Sequence, residues 1–136
     1  MSDNLRFNSP ETIHKPFGYT HTVEVTTPSR FIYISGQLGL DRDGKLVGNP
    51  GDIKAQFVQT FENMKLALAS VGAGFEHVIK LNNYLTDMSH LPIFRDVRDR
   101  YINTAAPPAS TAVAISQLAI KEAVFEMEAI AVLPAK

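Results

Sequence analysis

One predicted helix constrains the fold of this chain more than any other feature. Asn49 can cap its first turn, Pro50 suits the first helical position, and Asp52 favours the positive end of the helix dipole. Gly72 and Gly74 then end the helix. Between these limits, apolar side chains recur at helical spacing and form one stripe: Phe57, Phe61, Met64, Leu68 and Val71. This spacing is typical of core packing rather than of a cofactor-binding segment, so the helix needs an apolar surface to cover.

Strand-like segments lie on both sides of this helix and provide that surface. They are rich in β-branched and aromatic residues or alternate apolar with polar ones: HTVEVTT (21–27), RFIYISGQL (30–38), HVIKLNNYLTD (77–87), STAVAIS (110–116) and AVFEMEAIAVL (123–133). With 136 residues and no linker, repeat or charge run, the chain is expected to form a single domain over residues 1–136.

A second, shorter helix is predicted after residue 88. Ser89 caps it and Pro92 lies in its first turn. Leu91, Phe94, Val97 and Tyr101 lie along one side, whereas Arg95, Arg98 and Arg100 occupy other faces and are expected to be solvated. The order is strands, helix, strand, helix, strands. It predicts an α+β fold with both helices on one side of a mixed sheet.

This arrangement leaves one face of the sheet uncovered. The predicted strands carry apolar residues on both faces, for example Ile32 and Ile34 on one side and Phe31 and Tyr33 on the other. Two helices cover only one of these faces. We therefore expect further copies of the chain to cover the second face, in a homo-oligomer.

Composition excludes several classes of function. The net charge of −1 gives no attraction to nucleic acid or to an anionic membrane. The chain has no cysteine, which excludes a disulfide scaffold and a thiolate nucleophile. The uncharged stretch 101–120 is too polar, and too rich in proline, for a membrane span, and residues 1–12 are not of signal-peptide type. These features favour a cytoplasmic protein.

Few residues remain that could carry chemistry. The four histidines have no ligand spacing, so no metal site is expected, and no nucleotide or hydrolase motif is present. Glu126 is the best candidate, because strand alternation places Glu126 and Glu128 on one face about 7 Å apart. In a cleft its pKa would rise and it could position or deprotonate a water. The strand alone supports equally well the alternative that Glu126 lies at a sheet edge and points into solvent.

Two other parts of the sequence are weaker candidates for a functional site. Ser35 and Gly36 interrupt an apolar strand, which indicates either the close approach of a ligand or, more simply, a β-bulge. Tyr19 follows the turn KPFG and could close a pocket through its ring and hydroxyl.

Together these residues resemble the Rid family (reactive intermediate deaminases, also called YjgF or endoribonuclease L-PSP-like) over nearly the whole chain. The resemblance is carried by FIYISGQLGLDRDGKLVG, AQFVQTFENMKLALASVGAGFEHVIKLNNYLTDM and FEMEAIAV. It implies a chorismate-mutase-like α+β fold, a homotrimer with sites between subunits, and hydrolysis of imines without metal or cofactor. The matched positions are Tyr19, Ser35, Gly36 and Glu126, with Glu126 in the water-activating role.

The sequence departs from the family pattern at two positions. Deaminase members have Pro-Ala-Arg-Ser where this chain has PPAST, so Ser110, followed by Thr111, stands where an arginine holds the substrate carboxylate. A hydroxyl cannot replace that charged, two-pronged contact, so an ordinary 2-imino acid is a doubtful substrate. Arg95 stands where the family commonly has asparagine. Arg95 either restores part of the anion binding that the missing arginine would provide, or is an ordinary surface charge.

Three functions follow as hypotheses. The first is a Rid-type hydrolase of a small imine, enamine or related metabolite, with Glu126 orienting water and with Tyr19, Ser35, Gly36, Arg95, Ser110 and Thr111 binding the substrate. The second is a non-catalytic trimer that binds a small metabolite. The third, endoribonuclease activity, is disfavoured because the sequence has no basic or aromatic surface for nucleic acid.

Overall fold

The computed structural model describes residues 4–26, 29–48 and 51–136. Strands and helices follow one another as β1 (Leu5–Asn8), β2 (Thr22–Val25), β3 (Ser29–Leu38), α1 (Ile53–Ala69), β4 (Val78–Leu85), α2 (Leu91–Arg98), β5 (Ala109–Ala114) and β6 (Phe125–Pro134). Short 3₁₀ turns, Phe75–His77 and Met88–His90, precede β4 and α2. The predicted strands and helices are all present. Strand β1, which was not predicted, pairs with β2 in a separate antiparallel ribbon.

Four strands form the main sheet in the order β3-β6-β4-β5. Strand β6 runs antiparallel to both of its neighbours, whereas β4 and β5 are parallel. The sheet is therefore mixed, as predicted. Helix α2 makes the crossover between the two parallel strands, which a tight turn could not join.

Both helices pack on one face of this sheet, and the core lies between them. The buried stripe of α1 contacts the inward-facing residues of β4 and β6, and Phe94 and Val97 of α2 complete the cluster. The rings of Phe57 and Phe125 stack with their centroids 4.4 Å apart. The predicted α+β layer with two helices on one side of a mixed sheet is thus confirmed.

The ends of α1 differ from the prediction. The helix begins at Ile53, and the carboxylate of Asp52 caps it by accepting the backbone N–H of Ala55 at 3.2 Å. Asn49 and Pro50, predicted as cap and first helical residue, lie outside the described residues and precede this start. Val71 lies beyond the last turn and is exposed, so the buried stripe ends at Leu68.

The predicted cap of α2 is also wrong. The Asp87 carboxylate accepts the backbone N–H of Ser89 at 2.9 Å and starts a 3₁₀ turn, and α2 begins only at Leu91. Pro92 does lie in the first turn of α2. The prediction that Arg98 is solvated is wrong as well, because only 6% of its surface is exposed. Helical periodicity places it at the border of the apolar face, where its long side chain lies against protein.

The opposite face of the main sheet is open, and we call it the open face. Phe31 and Tyr33 of β3 and Val113 of β5 are exposed on it, at 53%, 77% and 41%. Ile32 and Ile34 point the other way and pack against the core. A single chain thus leaves an aromatic sheet face without a covering layer. None of the helices in the described ranges is long and apolar enough to cross a membrane.

Candidate functional site

The carboxylate of Glu126 lies at the end of the open face near the β3 bulge. Strand β6 pairs Glu126 with Leu38 of β3 on one side and with Tyr84 of β4 on the other. A Cβ atom on Gly36 would overlap this carboxylate and would lie 2.7 Å from its Cδ atom. Any side chain at position 36 would displace the carboxylate from this conformation. Strand alternation brings Glu126 to the neighbourhood of Ser35 and Gly36, and the glycine permits the contact.

A β-bulge makes this approach possible. Between Ile34 and Gln37, β3 advances three residues while its partner β6 advances two, from Ala129 to Met127. The extra residue bends the strand and redirects its side chains. The sequence left two alternatives for Ser35 and Gly36, a bulge or a close approach. The bulge is present, and the Glu126 carboxylate of the same chain approaches Gly36 closely.

Burial raises the pKa of Glu126, and the negative charge of Glu128 raises it further. Glu128 lies two residues along the same face and is held in place: its Oε1 atom accepts the Tyr84 hydroxyl at 2.6 Å and the Asn82 amide at 3.3 Å. The bond to Glu128 is also the main reason that the pKa of Tyr84 is raised. A carboxylate with a raised pKa is a better proton acceptor, so this environment suits the chemistry of a general base.

Tyr19 belongs to a different part of the molecule. Its hydroxyl is hydrogen-bonded to His14 Nε2 at 2.8 Å, and His21 Nε2 donates to the carbonyl oxygen of His14 at 2.8 Å. The two imidazole rings meet edge to face with centroids 4.8 Å apart. This cluster could not be predicted from the sequence, because spacings of five and two residues in a loop follow no helix or strand period. Only the folded loop brings the three rings together.

Tyr19 also lines a cavity of about 610 Å³. One wall comes from the N-terminal segment, including Lys15 and Gly18, and the other from the loop 104–107 before β5. The backbone N–H of Thr20 donates to the carbonyl oxygen of Pro108 at 3.0 Å and ties the two walls together. The uncharged stretch before β5 therefore borders a real cavity.

Ser110 and Thr111 are neighbours in sequence but face opposite sides of the sheet. Ser110 Oγ accepts the Asn83 amide at 3.0 Å, on the helix-covered side where Asn83 is buried. Thr111 lies on the open face, where its hydroxyl accepts Lys80 Nζ at 2.8 Å. A strand turns successive side chains to opposite faces, so one chain cannot present both hydroxyls to one ligand.

Arg95 projects from the middle of α2 and is exposed. Its guanidinium has no ion pair or hydrogen bond with any residue in the described part of the chain, whereas its carbonyl oxygen accepts the backbone N–H of Asp99 at 3.1 Å. It does not lie among the residues that line the cavity at Tyr19.

The predicted site residues are thus not brought together within one chain. The sheet group consists of Ser35, Gly36 and Glu126, and the loop group is Tyr19 with its two histidine partners beside the cavity. Ser110, Thr111 and Arg95 belong to neither group. No hydrogen bond joins the two groups among the described residues. The same described residues contain no set of three or more acidic or histidine side chains that could hold a metal ion.

Comparison with known proteins agrees with this fold. The sequence profile of the family described as Endoribonuclease L-PSP matches residues 12–133. The chain belongs to this family. A crystal structure of a Rid-family protein of unknown function from Yersinia pestis superposes on this chain with a TM-score of 0.87 and 32% sequence identity. That match covers 96% of this chain and 99% of the other. The predicted resemblance to the Rid family is therefore confirmed.

Other Rid-family relatives cover most of the chain as well. A RutC family protein from Pyrococcus abyssi is 36% identical over 123 residues, which is 89% of this chain and 91% of the relative. A protein from Dermatophagoides farinae named 2-iminobutanoate/2-iminopropanoate deaminase is 31% identical and covers 88% of this chain and 89% of its own length. The crystal structure of RidA from an Antarctic Psychrobacter has a TM-score of 0.70 and 29% identity, over 97% of this chain and all of the other.

Proposed function

We propose that this chain is a Rid-type hydrolase that converts a small imine, enamine or related reactive metabolite into a carbonyl compound and ammonia. Glu126 is the catalytic residue in this proposal. The observation that supports it most directly is the Glu126 carboxylate, which is half-buried against Gly36 with its pKa raised by burial and by Glu128. The deaminase name of the Dermatophagoides farinae relative supports the same reaction class.

The proposed reaction needs only water and the chain's own groups. Glu126 accepts a proton from a water whose oxygen adds to the carbon of the C=N bond. That proton passes to the nitrogen and gives a carbinolamine. Glu126 then accepts the hydroxyl proton of the carbinolamine and returns it to the nitrogen, so the C–N bond breaks and ammonia leaves as the carbonyl forms. An enamine substrate would first take up a proton on carbon to become the imine. Glu126 has to be ionised for the first step, so activity should fall as the pH drops through its raised pKa.

In this proposal Tyr19, Ser35, Gly36, Ser110 and Thr111 hold the substrate, with Ser110 and Thr111 supplied by different copies of the chain, because one chain cannot present both hydroxyls to one ligand. Ser110 offers a hydroxyl where a charged, two-pronged contact would grip a carboxylate next to the C=N bond. The substrate is therefore proposed to differ from a standard 2-imino acid. Arg95 is included as a substrate-binding residue of the assembled protein, where its free guanidinium could face a neighbouring subunit.

The assembly proposed for this function is a homotrimer with sites between subunits. Two observations favour it: the exposed aromatic residues of the open face, and the separation of the sheet group from the loop group within one chain. A neighbouring copy could supply the loop group to the sheet group. We propose a cytoplasmic protein that binds a small molecule and uses no metal or cofactor, and neither nucleic acid nor membrane is a proposed partner.

A non-catalytic trimer that binds a small metabolite is the second candidate. The cavity of about 610 Å³ beside Tyr19 favours it, because a metabolite could bind there without reaching Glu126. Endoribonuclease activity is the third candidate and is disfavoured by the net charge of −1.

An imine-hydrolysis assay tests the proposal. Imines with and without a carboxylate are generated in situ, and their decay is followed with the native protein, Glu126→Gln and Glu122→Gln. Glu122 is a matched control, because it is an exposed carboxylate four residues away. We expect native protein and Glu122→Gln to accelerate decay alike, and Glu126→Gln to lose about 100-fold or more, in line with loss of a general base.

Acceleration that survives Glu126→Gln would contradict the catalytic role. No acceleration on any imine, combined with tight binding of a metabolite, would favour the second candidate instead.

A further inference from the structure

The N-terminal loop contains a chain of contacts that the proposed reaction does not yet use. These contacts join the loop group, which is Tyr19 with His14 and His21. The Tyr19 hydroxyl is hydrogen-bonded to His14 Nε2 at 2.8 Å, and it has no other hydrogen bond within the described part of the chain. Tyr19 is also one of the residues proposed to hold the substrate. The contact that fixes its hydroxyl therefore bears on substrate binding.

The two histidines are placed to act on Tyr19 rather than on a ligand. Tyr19 lines the cavity of about 610 Å³, as does Lys15, which follows His14 in the chain. Neither His14 nor His21 is among the residues that line this cavity. A histidine that contacts Tyr19 from outside the cavity can influence a ligand in it only through the position of Tyr19.

His21 fixes His14 in turn. Its Nε2 atom is bonded to the His14 carbonyl oxygen at 2.8 Å, and this Nε2 carries a proton because a carbonyl oxygen can only accept. The imidazole of His21 also meets the rings of His14 and Tyr19 edge to face, with centroids 4.8 Å and 5.6 Å away. Each of the three rings is thus held by more than one contact.

Hydrogen bonds of two backbone N–H groups anchor this cluster to the rest of the fold. The Ser9 hydroxyl, which directly follows β1, accepts the backbone N–H of His21 at 3.2 Å. The backbone N–H of Thr20 donates to the carbonyl oxygen of Pro108 at 3.0 Å, and Thr20 is buried. With the backbone fixed on its C-terminal side, rotation of the Tyr19 side chain would break its hydroxyl contact. The ring therefore has one preferred orientation.

We propose that His14 is a positioning residue for substrate binding, which holds the Tyr19 side chain in one orientation at the wall of the cavity, and that His21 holds His14. The inference rests on the proposed function, because that function gives Tyr19 its role in binding. A side chain that is already ordered binds a ligand more tightly, since its conformational entropy is lost before the ligand arrives. The His14 contact should therefore lower KM and leave kcat unchanged.

Steady-state kinetics of imine hydrolysis by the full-length protein test this inference. The probes are 2-iminobutanoate, which carries a carboxylate, and 2-iminobutanamide, which does not, each generated in situ. His14→Phe keeps a ring against His21 but removes the nitrogen that meets the Tyr19 hydroxyl. We expect it to raise KM about 3- to 10-fold at unchanged kcat, as for loss of one neutral hydrogen bond. His14→Gln keeps a polar group on the side chain and should recover part of the native KM.

A double-mutant cycle separates positioning from a general loss of loop structure. Tyr19→Phe removes only the hydroxyl and should raise KM at least as much as His14→Phe does. In the Tyr19→Phe background, His14→Phe should have no further effect, because the hydroxyl that it positions is already missing. His21→Phe keeps the ring contacts and should raise KM by a smaller factor.

Thr22→Val is the matched control variant. The Thr22 hydroxyl donates to the carbonyl oxygen of Asn8 at 3.2 Å, which is a surface hydrogen bond of the same ribbon outside the loop group. Its loss should leave KM at the native value. An increase as large as that of His14→Phe would overturn the inference, because loosening of the ribbon would then be the cause.

The remaining outcomes separate the inference from the proposed function. A native KM for His14→Phe, or an equal effect of His14→Phe in the native and Tyr19→Phe backgrounds, would overturn the inference and leave the proposed function intact. A fall in kcat at unchanged KM would do the same. If the native protein accelerates the decay of neither imine, the proposed function fails and the inference fails with it.

Discussion

The two faces of the main sheet differ sharply in chemistry. The helix-covered face is apolar, with Leu81, Phe125 and Met127 fully buried, and Asn83 is its buried amide. The open face combines exposed aromatic residues with a polar network in which Tyr84 and Asn82 hold Glu128 beside Glu126. Alternate residues of the same strands serve these two purposes. One face specifies the fold, and the other is free to carry charge because no helix has to be packed against it.

This difference explains how a carboxylate with an altered pKa can exist in so small a domain. Burial beneath a helix would exclude water from the Glu126 carboxylate, whereas full exposure to water would leave its pKa unshifted. On the open face Glu126 is partly buried, because its strand lies between β3 and β4. The two faces should therefore respond very differently to substitution.

The largest effect is expected on the covered face. Phe125→Ala removes a fully buried ring that stacks on Phe57, and it should lower the free energy of unfolding by about 3–5 kcal/mol. Phe17→Ala is the control, because Phe17 is exposed and its loss should change stability by less than about 0.5 kcal/mol. Urea denaturation followed by circular dichroism measures both. Similar values for the two variants would mean that the covered face does not dominate stability.

A smaller effect is expected on the open face, and it should appear in assembly rather than in folding. Tyr33→Ser removes the most exposed aromatic ring of this face. If copies of the chain cover it, the protein concentration needed for assembly should rise about tenfold or more. Sedimentation velocity over a dilution series measures this. Unchanged assembly of Tyr33→Ser would argue against an interface on this face.

The smallest effect is expected within the polar network. Glu128→Gln removes the charge that helps to raise the pKa of Glu126, so that pKa should fall towards its ordinary value while the part due to burial remains. A titration of the Glu126 carboxyl carbon by NMR measures the change. The acid limb of the imine-hydrolysis profile should move to lower pH, because Glu126 then ionises earlier. A pKa that rises or stays constant would contradict this account of the network.

Most of the fold could be predicted from the sequence. The apolar stripe of α1, the strand alternation and the order of elements led to the correct layers. The errors lie at the helix ends and at β1. Helix α1 is capped by Asp52 and α2 follows a 3₁₀ turn started by Asp87, since the capping hydrogen bonds depend on local backbone geometry that several polar residues could provide.

The candidate site could be predicted only in part. Strand periodicity placed Glu126 and Glu128 on one face, and the glycine in β3 indicated either a bulge or a close approach. Periodicity could not reveal that Ser110 and Thr111 have partners on opposite sides, or that Tyr19 meets two histidines. These relations join residues from separate segments, and their spacing in the chain carries no trace of them.

The sequence by itself determined the layers of this protein, because apolar periodicity is a local property that each helix and strand carries within a few turns or residues. Only the tertiary structure decided which charges are buried. Arg98 is separated from Gly18 by most of the chain, and Glu126 is separated from Gly36 in the same way. The environment of a charge depends on neighbours that folding brings together. The raised pKa of Glu126 and the burial of the Arg98 guanidinium therefore arise only in the tertiary structure.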